Sequence, residues 1–375
     1  MITDADSKTK IRMAREDGSQ TPGPEILTIA KGAGIGFMGM VIGSALRYLF
    51  QIIIARNLGP ELFGLFILGL TVFKVTGMIA EMGLPRGIVR YVALFRGEGD
   101  ESRLKGVIIL SIRIALTSSI VFALLLFAFS RTIAVSIFHK SELTIVLRIF
   151  ALVLPFTTLT TMLLFATQGF KIMKYKAIVS EIFEPLGRLI LVIILFLLGL
   201  KLYGVIFAYL IPLVAGTWLA FHYLKKVFPP VVKKELRPTY ETKQLLHFSW
   251  PLLFVNFFGF MIMWIDTLML GYFKTSQDVG IYSAAQRTAL LGCLIVASFN
   301  SIFAPVISDL HNRKEFSSLN EYFKTVAKWM FTFSFPISLL IIFFARGILN
   351  LFGPQFVSGI PSLIILSVGW IIYSG

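Results

Sequence analysis

Six cations lie inside long apolar stretches of this sequence: Arg47, Lys74, Arg113, Arg148, Arg188 and Arg287. An unpaired cation in hydrocarbon costs from about 2.5 to over 10 kcal/mol, depending on how far its side chain reaches toward water. Such residues are expected to face a wet or protein-lined interior, where guanidinium and ammonium groups bind phosphate or pyrophosphate oxygens. Acids are fewer in the same stretches. Glu181, Glu184 and Arg188 stand at i, i+3 and i+7, so they share one helix face and Glu184 can pair with Arg188. That trio suits either a self-neutralised cluster that lets a helix insert or a titratable coupling site, and Asp266, two residues after Trp264, either an interfacial residue or a gate. Substrate binding is assigned to Arg47, Lys74, Arg113 and Arg287, and gating or coupling to Asp266, Glu181, Glu184 and Arg188. Arg148, near a boundary, is expected to snorkel to water.

The elements that must hold these charges are membrane helices. Of 375 residues, 56% are hydrophobic, 36 are Phe and only 15% are charged, whereas a soluble domain carries about 25% charged residues. Many windows of 18 or more residues are nearly free of charge, which suits a helix crossing about 30 Å of hydrocarbon. Period-two alternation is absent, which argues against an outer-membrane barrel. Ten spans are predicted, at about 33-55, 61-83, 106-129, 142-168, 177-199, 203-224, 246-270, 278-303, 325-345 and 356-375. At a rise of about 1.5 Å per residue, Lys74 and Arg287 fall near the midplane, Arg47 and Arg148 in the outer half and Arg113 and Arg188 in the inner half. A ladder of cations over all depths would suit an anionic group that passes through the whole membrane. Asn256, Gln286 and Asn300 are expected to serve as interhelical glue or to contact a sugar.

Lys and Arg outside the spans alternate strongly between loops. One set of loops with the N-terminal tail carries 23 and the other set carries 6. Positive residues are retained on the cytoplasmic side, so both termini are expected there, in the plasma membrane. The formal charge of +15 is thus mainly an orientation signal, with loop pairs such as Lys233 and Lys234 touching anionic lipid. Basic residues dispersed among membrane loops argue against a nucleic-acid partner. Cys293 is the single cysteine, so no disulfide or thiolate metal site forms within one chain. His139, His222 and His247 are scattered, which gives no metal cluster. The run Gly32 to Gly36 follows no strand and opens a membrane helix, so it is not a dinucleotide fingerprint. No cofactor is implied.

Two stretches share one plan. Residues 33-83 and 245-303 each read as an apolar segment, a short polar link and a second apolar segment, and Phe63-Gly64-Leu65-Phe66 lies over Val279-Gly280-Ile281-Tyr282 when the links are put in phase. The chain therefore reads as two copies of one membrane unit. Four regions follow: a disordered cytosolic tail over 1-32, a six-helix lobe over 33-226, a cytosolic linker over 227-244, and a C-terminal lobe of about four helices over 245-375. The fold class is an all-α integral membrane bundle of two repeated lobes, six helices in the first and about four in an apparently truncated second.

The stretch from Trp264 to Thr288, WIDTLMLGYFKTSQDVGIYSAAQRT, and ARNLGPELFGLF at 55-66 resemble the polysaccharide-export or oligosaccharide-flippase branch of the multidrug, oligosaccharidyl-lipid and polysaccharide (MOP) exporter superfamily. The resemblance covers about residues 30 to 375. It implies two six-helix lobes around a cavity and movement of a polyprenyl-pyrophosphate-linked oligosaccharide between leaflets by alternating access. Arg47 then matches the place from which cavity-lining arginines project, and Asp266 the acid of the seventh-span motif. Partners implied are the lipid-linked oligosaccharide, membrane lipid, and a glycan polymerase or glycosyltransferases. A drug or cation antiporter of the same fold would need acids to dominate the interior, and a membrane enzyme would want carboxylates in a sizeable outer loop. A nontransporting component of a glycan assembly complex is the remaining alternative.

Overall fold

A computed structural model describes residues 24-231, 233, 236-292, 307 and 315-374. Most of the predicted tail, Cys293, Asn300 and the end of the eighth predicted span lie outside the described residues. Every regular element described is helical. Among the described residues seven stretches are long and apolar enough to cross a membrane.

The first helix, α1 (Pro24–Ala80), carries two of the predicted spans in one element. Its direction breaks at Gly59 (φ 75°, ψ 171°), just before Pro60. Glycine accepts this positive φ without a Cβ clash, and Pro60 removes the N–H that a continuous helix would need. A short helix, α2 (Leu84–Glu98), follows where the hydropathy pattern predicts only a loop. It buries Leu84, Ile88, Val92 and Phe95 on one face and leaves Arg86, Arg90 and Arg96 off it, an amphipathic pattern too charged for a spanning window. Gly99, at φ 73°, ends it. Asp100 then caps α3 (Glu101–Thr132) by accepting the Arg103 N–H at 2.9 Å.

Helix α4 (Leu143–Gly169) crosses next. The fifth predicted span is less regular: a single turn at Lys174–Lys176 leads through a π segment, Ala177–Phe183, into α5 (Glu184–Leu197). Then come α6 (Leu202–Val227), α7 (Thr242–Phe273) and α8, described over 276-292. Helix α9 (Phe316–Phe343) leads to α10 (Ala345–Phe352), a 3-10 turn at Pro354–Gly359, and α11 (Ile360–Ser374). Two of the differences from the ten predicted spans are physical, since helix α1 merges two spans and the π segment shortens the fifth. The eighth lies partly outside the described residues.

Two apolar cores hold the bundle. One joins α1, α4 and α6 through Phe66, Phe73, Phe150 and Tyr209, and reaches the second half through Phe63 against Phe356, ring centroids 5.9 Å apart. The other lies between α2, α3, α4 and α6 and takes in Leu245 at the start of α7. The glycines placed in register by the repeat meet at the crossing of α1 and α8. A Cβ on Gly64 would strike the Ser276 carbonyl oxygen, and one on Gly280 would strike that of Pro60 and stand 3.1 Å from Gly64 N. Each glycine thus abuts the residue four before the other, the close contact small residues permit between membrane helices.

The ends of the bundle are also tied. On the face with few Lys and Arg, Lys140 Nζ donates to the carbonyls of Phe138 (3.0 Å), Gly271 (2.6 Å) and Lys274 (3.0 Å). That places a cation at the C-terminus of α7, where orphan carbonyls and the helix dipole favour it. On the basic face, Lys105 Nζ donates to the Lys233 and Leu236 carbonyls, and the Thr239 N–H to the Ser102 carbonyl at 3.1 Å. The segment between α6 and α7 is thereby strapped along the start of α3.

Candidate functional site

The site is built where α1 meets α5, α7 and α8. Gly43 of α1 lies against Glu181, whose Oε2 would stand 2.8 Å from a Cβ at Gly43. This close approach brings Arg47, one turn on, to Glu181: Nη1 donates to Oε2 at 2.8 Å, and Nη2 to Ser44 Oγ at 3.1 Å. On the same segment as Glu181, Glu184 accepts from Arg188 Nη2 at 2.7 Å, the intrahelical pair expected from their spacing. The Arg188 guanidinium also sits 3.9 Å from the centre of the Tyr209 ring.

Two further cations share one aromatic side chain. Lys74 Nζ lies 4.5 Å from the centre of Trp264, and Arg287 Cζ 4.9 Å from it. Tryptophan is the strongest aromatic partner for a cation, yet a desolvated cation–π contact gives only about 2 kcal/mol and does not neutralise charge. Among the described residues no carboxylate pairs with Lys74 or Arg287. The charges of Arg287, Arg188 and Arg47 all bear on Lys74. Four of the six intramembrane cations therefore converge in one region instead of forming the ladder expected from helix starts.

A cavity of about 180 Å³ opens between the two halves, with Ser44, Arg47, Tyr48, Gln51 and Arg287 among its lining residues. Among the described residues Arg287 Nε and Nη2 and Gln51 Oε1 are buried without a hydrogen-bond partner, and leaving such groups unmade costs about 1–3 kcal/mol each. Tyr48, in its wall, has its hydroxyl 2.9 Å from that of the buried Thr288. A second cavity of about 270 Å³ lies within the first half, where Thr157, Thr160, Thr161, Glu184, Arg188 and Tyr209 contribute to its wall.

The other residues singled out in the sequence fall elsewhere. Asp266 accepts from the Tyr282 hydroxyl, from Gln286 Nε2 at 2.8 Å and from the Thr267 N–H at 2.6 Å. It ties α7 to α8, and Gln286 acts as interhelical glue. Arg113 is exposed and reaches out of the bundle, with Nη1 3.3 Å from the Tyr240 hydroxyl in the segment before α7. Arg148 is likewise exposed and donates to Ser130 Oγ at 3.2 Å. Neither joins the cluster. Three contributors escape a reading of the sequence: Tyr209, the shared role of Trp264, and Glu81, whose carboxyl is hydrogen-bonded to Thr161. Glu81 has a signal, as an acid inside the second predicted span. Tyr209 and Trp264 have none, since aromatic residues are common in membrane helices. Among the described residues no group of His, Cys, Asp and Glu is placed to hold a metal ion.

Helices α1 and α8 thus cross at paired glycines beside a charged interior. The fold superposes on the inward-facing conformation of a multidrug resistance MATE family transporter of the MOP superfamily with a TM-score of 0.73 at 18% identity, over 91% of this chain and 82% of that one. The family described as "Polysaccharide biosynthesis protein" matches residues 29–311, and the chain belongs to it. Curated relatives include an uncharacterized membrane protein of Methanocaldococcus jannaschii, 22% identical over 359 residues, which span 90% of this chain and 70% of that one. Another is stage V sporulation protein B of Bacillus subtilis, 23% identical over 338 residues, covering 84% of this chain and 65% of that protein. Family and fold together make the protein a multi-pass, all-helical membrane protein of the polysaccharide biosynthesis family.

Proposed function

We propose that this transporter moves a polyprenyl-pyrophosphate-linked oligosaccharide across the cytoplasmic membrane by alternating access. The observation that carries the reading is the pair Lys74 and Arg287, two interior cations with no carboxylate partner among the described residues, beside a cavity that Arg287 shares with Arg47. A pyrophosphate would supply the acceptors that Arg287 Nε and Nη2 lack. The polyprenyl tail stays in lipid, sliding past a lateral opening between the halves. Glu181, Glu184, Arg188 and Asp266 serve coupling or gating, with Glu181 leaving Arg47 when the substrate's phosphate arrives. The distribution of Lys and Arg supports a cytoplasmic position for the basic face and both termini. The family's description, polysaccharide biosynthesis, fits such a substrate and a neighbouring glycan polymerase or glycosyltransferase.

A drug or cation antiporter is disfavoured by the state of the acids. Glu181 and Glu184 are held by arginines, and Asp266 by Tyr282 and Gln286, which leaves Glu81 as the one interior acid named above that is not so held. The test is a cell assay of lipid-linked glycan reaching the outer leaflet, with Arg47→Ala, Lys74→Ala and Arg287→Ala compared with the parent at matched membrane expression. Loss of export in all three supports a cationic path. Variants that export as well as the parent would overturn it, and a parent that exports nothing while still binding glycan-assembly enzymes would favour the nontransporting role.

A further inference from the structure

An aromatic ladder on the lipid-facing side of the first half leads into a basic pocket at the opposite end of the bundle from Lys140. On α6, Phe207, Ile211, Val214, Trp218 and Phe221 form an exposed apolar stripe at helical spacing, which marks the face turned to lipid. Trp218, 71% exposed, is its largest member. The rings then run inward: Trp218 lies parallel to His222 with centroids 6.1 Å apart, His222 is 6.0 Å from Tyr223, and Tyr223 stacks on Tyr175 at 4.4 Å.

Tyr175 is also a wall of a cavity of about 470 Å³ at the ends of α2, α3, α4 and α6. Phe95, Phe170 and Phe228 contribute apolar walls, and Arg96, Lys226 and Glu101 are its charged members. Arg96 is fixed in place, with Nη1 donating to the Phe170 carbonyl at 2.6 Å and the guanidinium 5.6 Å from that ring. Lys226 is exposed in the last turn of α6. The cavity thus has two cations, one carboxylate and a continuous aromatic path to the bilayer.

We propose that this cavity binds the headgroup of an anionic glycerophospholipid, the phosphate diester lying between Arg96 and Lys226 and the acyl chains running down the Trp218 stripe. Tryptophan and tyrosine prefer the headgroup level of a bilayer, and each basic residue there adds attraction for an anionic lipid. Glu101 fits a hydroxyl-bearing headgroup, because a carboxylate accepts hydroxyl protons and opposes a bare phosphate dianion. The site is separate from the cation cluster at Trp264 and does not depend on the transported substrate.

Native mass spectrometry of the full chain, released from nanodiscs of equal phosphatidylglycerol and phosphatidylcholine, tests the assignment by counting retained lipids. Phosphatidylglycerol should be retained in preference to phosphatidylcholine, and its retention should fall about fivefold in Lys226→Gln. Trp218→Leu should also lower it, while Lys274→Gln, at the other face, should leave it unchanged. All three altered residues are exposed, so the bundle is expected to fold, and circular dichroism of each variant checks this. Parent and variants retaining phosphatidylglycerol equally, or the two lipids being retained alike by the parent, would overturn the proposal. Displacement of phosphatidylglycerol by added inorganic phosphate would overturn it too, since the pocket would then be a site for free phosphate.

Discussion

Arg47 and Arg188 each hold a carboxylate, whereas Lys74 and Arg287, in the same interior, share the ring of Trp264 and pair with no carboxylate among the described residues. The difference follows from where the partners come from. Both carboxylates belong to the segment from Ala177 to Leu197, which packs on α1 within the first half. Lys74, Trp264 and Arg287 come from α1, α7 and α8, so they meet at the seam between the halves. The Arg188–Glu184 pair, four residues apart on one helix, can stay together through any rearrangement. Charges at the seam are those that a substrate passing between the halves can reach, and leaving them unpaired keeps them available for an anion.

Removing one partner of the most buried pair should have the largest effect. Glu184→Leu leaves the Arg188 guanidinium without its carboxylate where both side chains are only 12% and 10% exposed, a change expected to cost about 3 kcal/mol. Thermal unfolding in detergent should show the loss, and Glu184→Leu with Arg188→Met should restore most of it. A single variant as stable as the parent would break the contrast, because the pair would then not be what stabilises the first half.

At the seam the opposite pattern is expected. Lys74→Met or Arg287→Met should lower glycan transport about tenfold, equivalent to about 1.4 kcal/mol of transition-state stabilisation, without lowering the melting temperature. Transport retained together with lost stability would make the two cations structural. A smaller effect is expected for Glu181→Gln, since Arg47 is 38% exposed and a half-hydrated pair contributes at most about 1 kcal/mol. Chemical denaturation compared with Glu184→Leu would rank the two pairs. The smallest effect belongs to Arg113→Ala, within about 0.5 kcal/mol in stability and with export unchanged, because Arg113 touches only Tyr240 outside the cluster.

Part of the site is legible in the sequence. Arg47, Lys74, Arg188 and Arg287 stand out because charge inside an apolar window is costly wherever it is buried. The bond from Arg188 to Glu184 can be read from a spacing of four residues. The partner of Arg47 cannot, as Glu181 lies 134 residues away and shares no pattern with it. Nor can Trp264, which serves cations from α1 and α8 at once. Arg113 shows the converse limit. Its position suggests a place along a cation ladder, but the strapping of the 227-244 segment onto α3 gives it a partner at the bundle's end.

The sequence by itself determined that this is an all-helical membrane protein, that its loops are unequal in charge, and that Gly64 and Gly280 occupy equivalent places. Hydropathy is summed over one helix length and a repeat is a comparison of the chain with itself, so neither needs long-range contacts. Only the tertiary structure decided which cations converge and which are neutralised. It did so because a charge is paired or free according to what other helices bring within about 3–4 Å of it, as Glu181 on the π segment at Ala177–Phe183 does for Arg47.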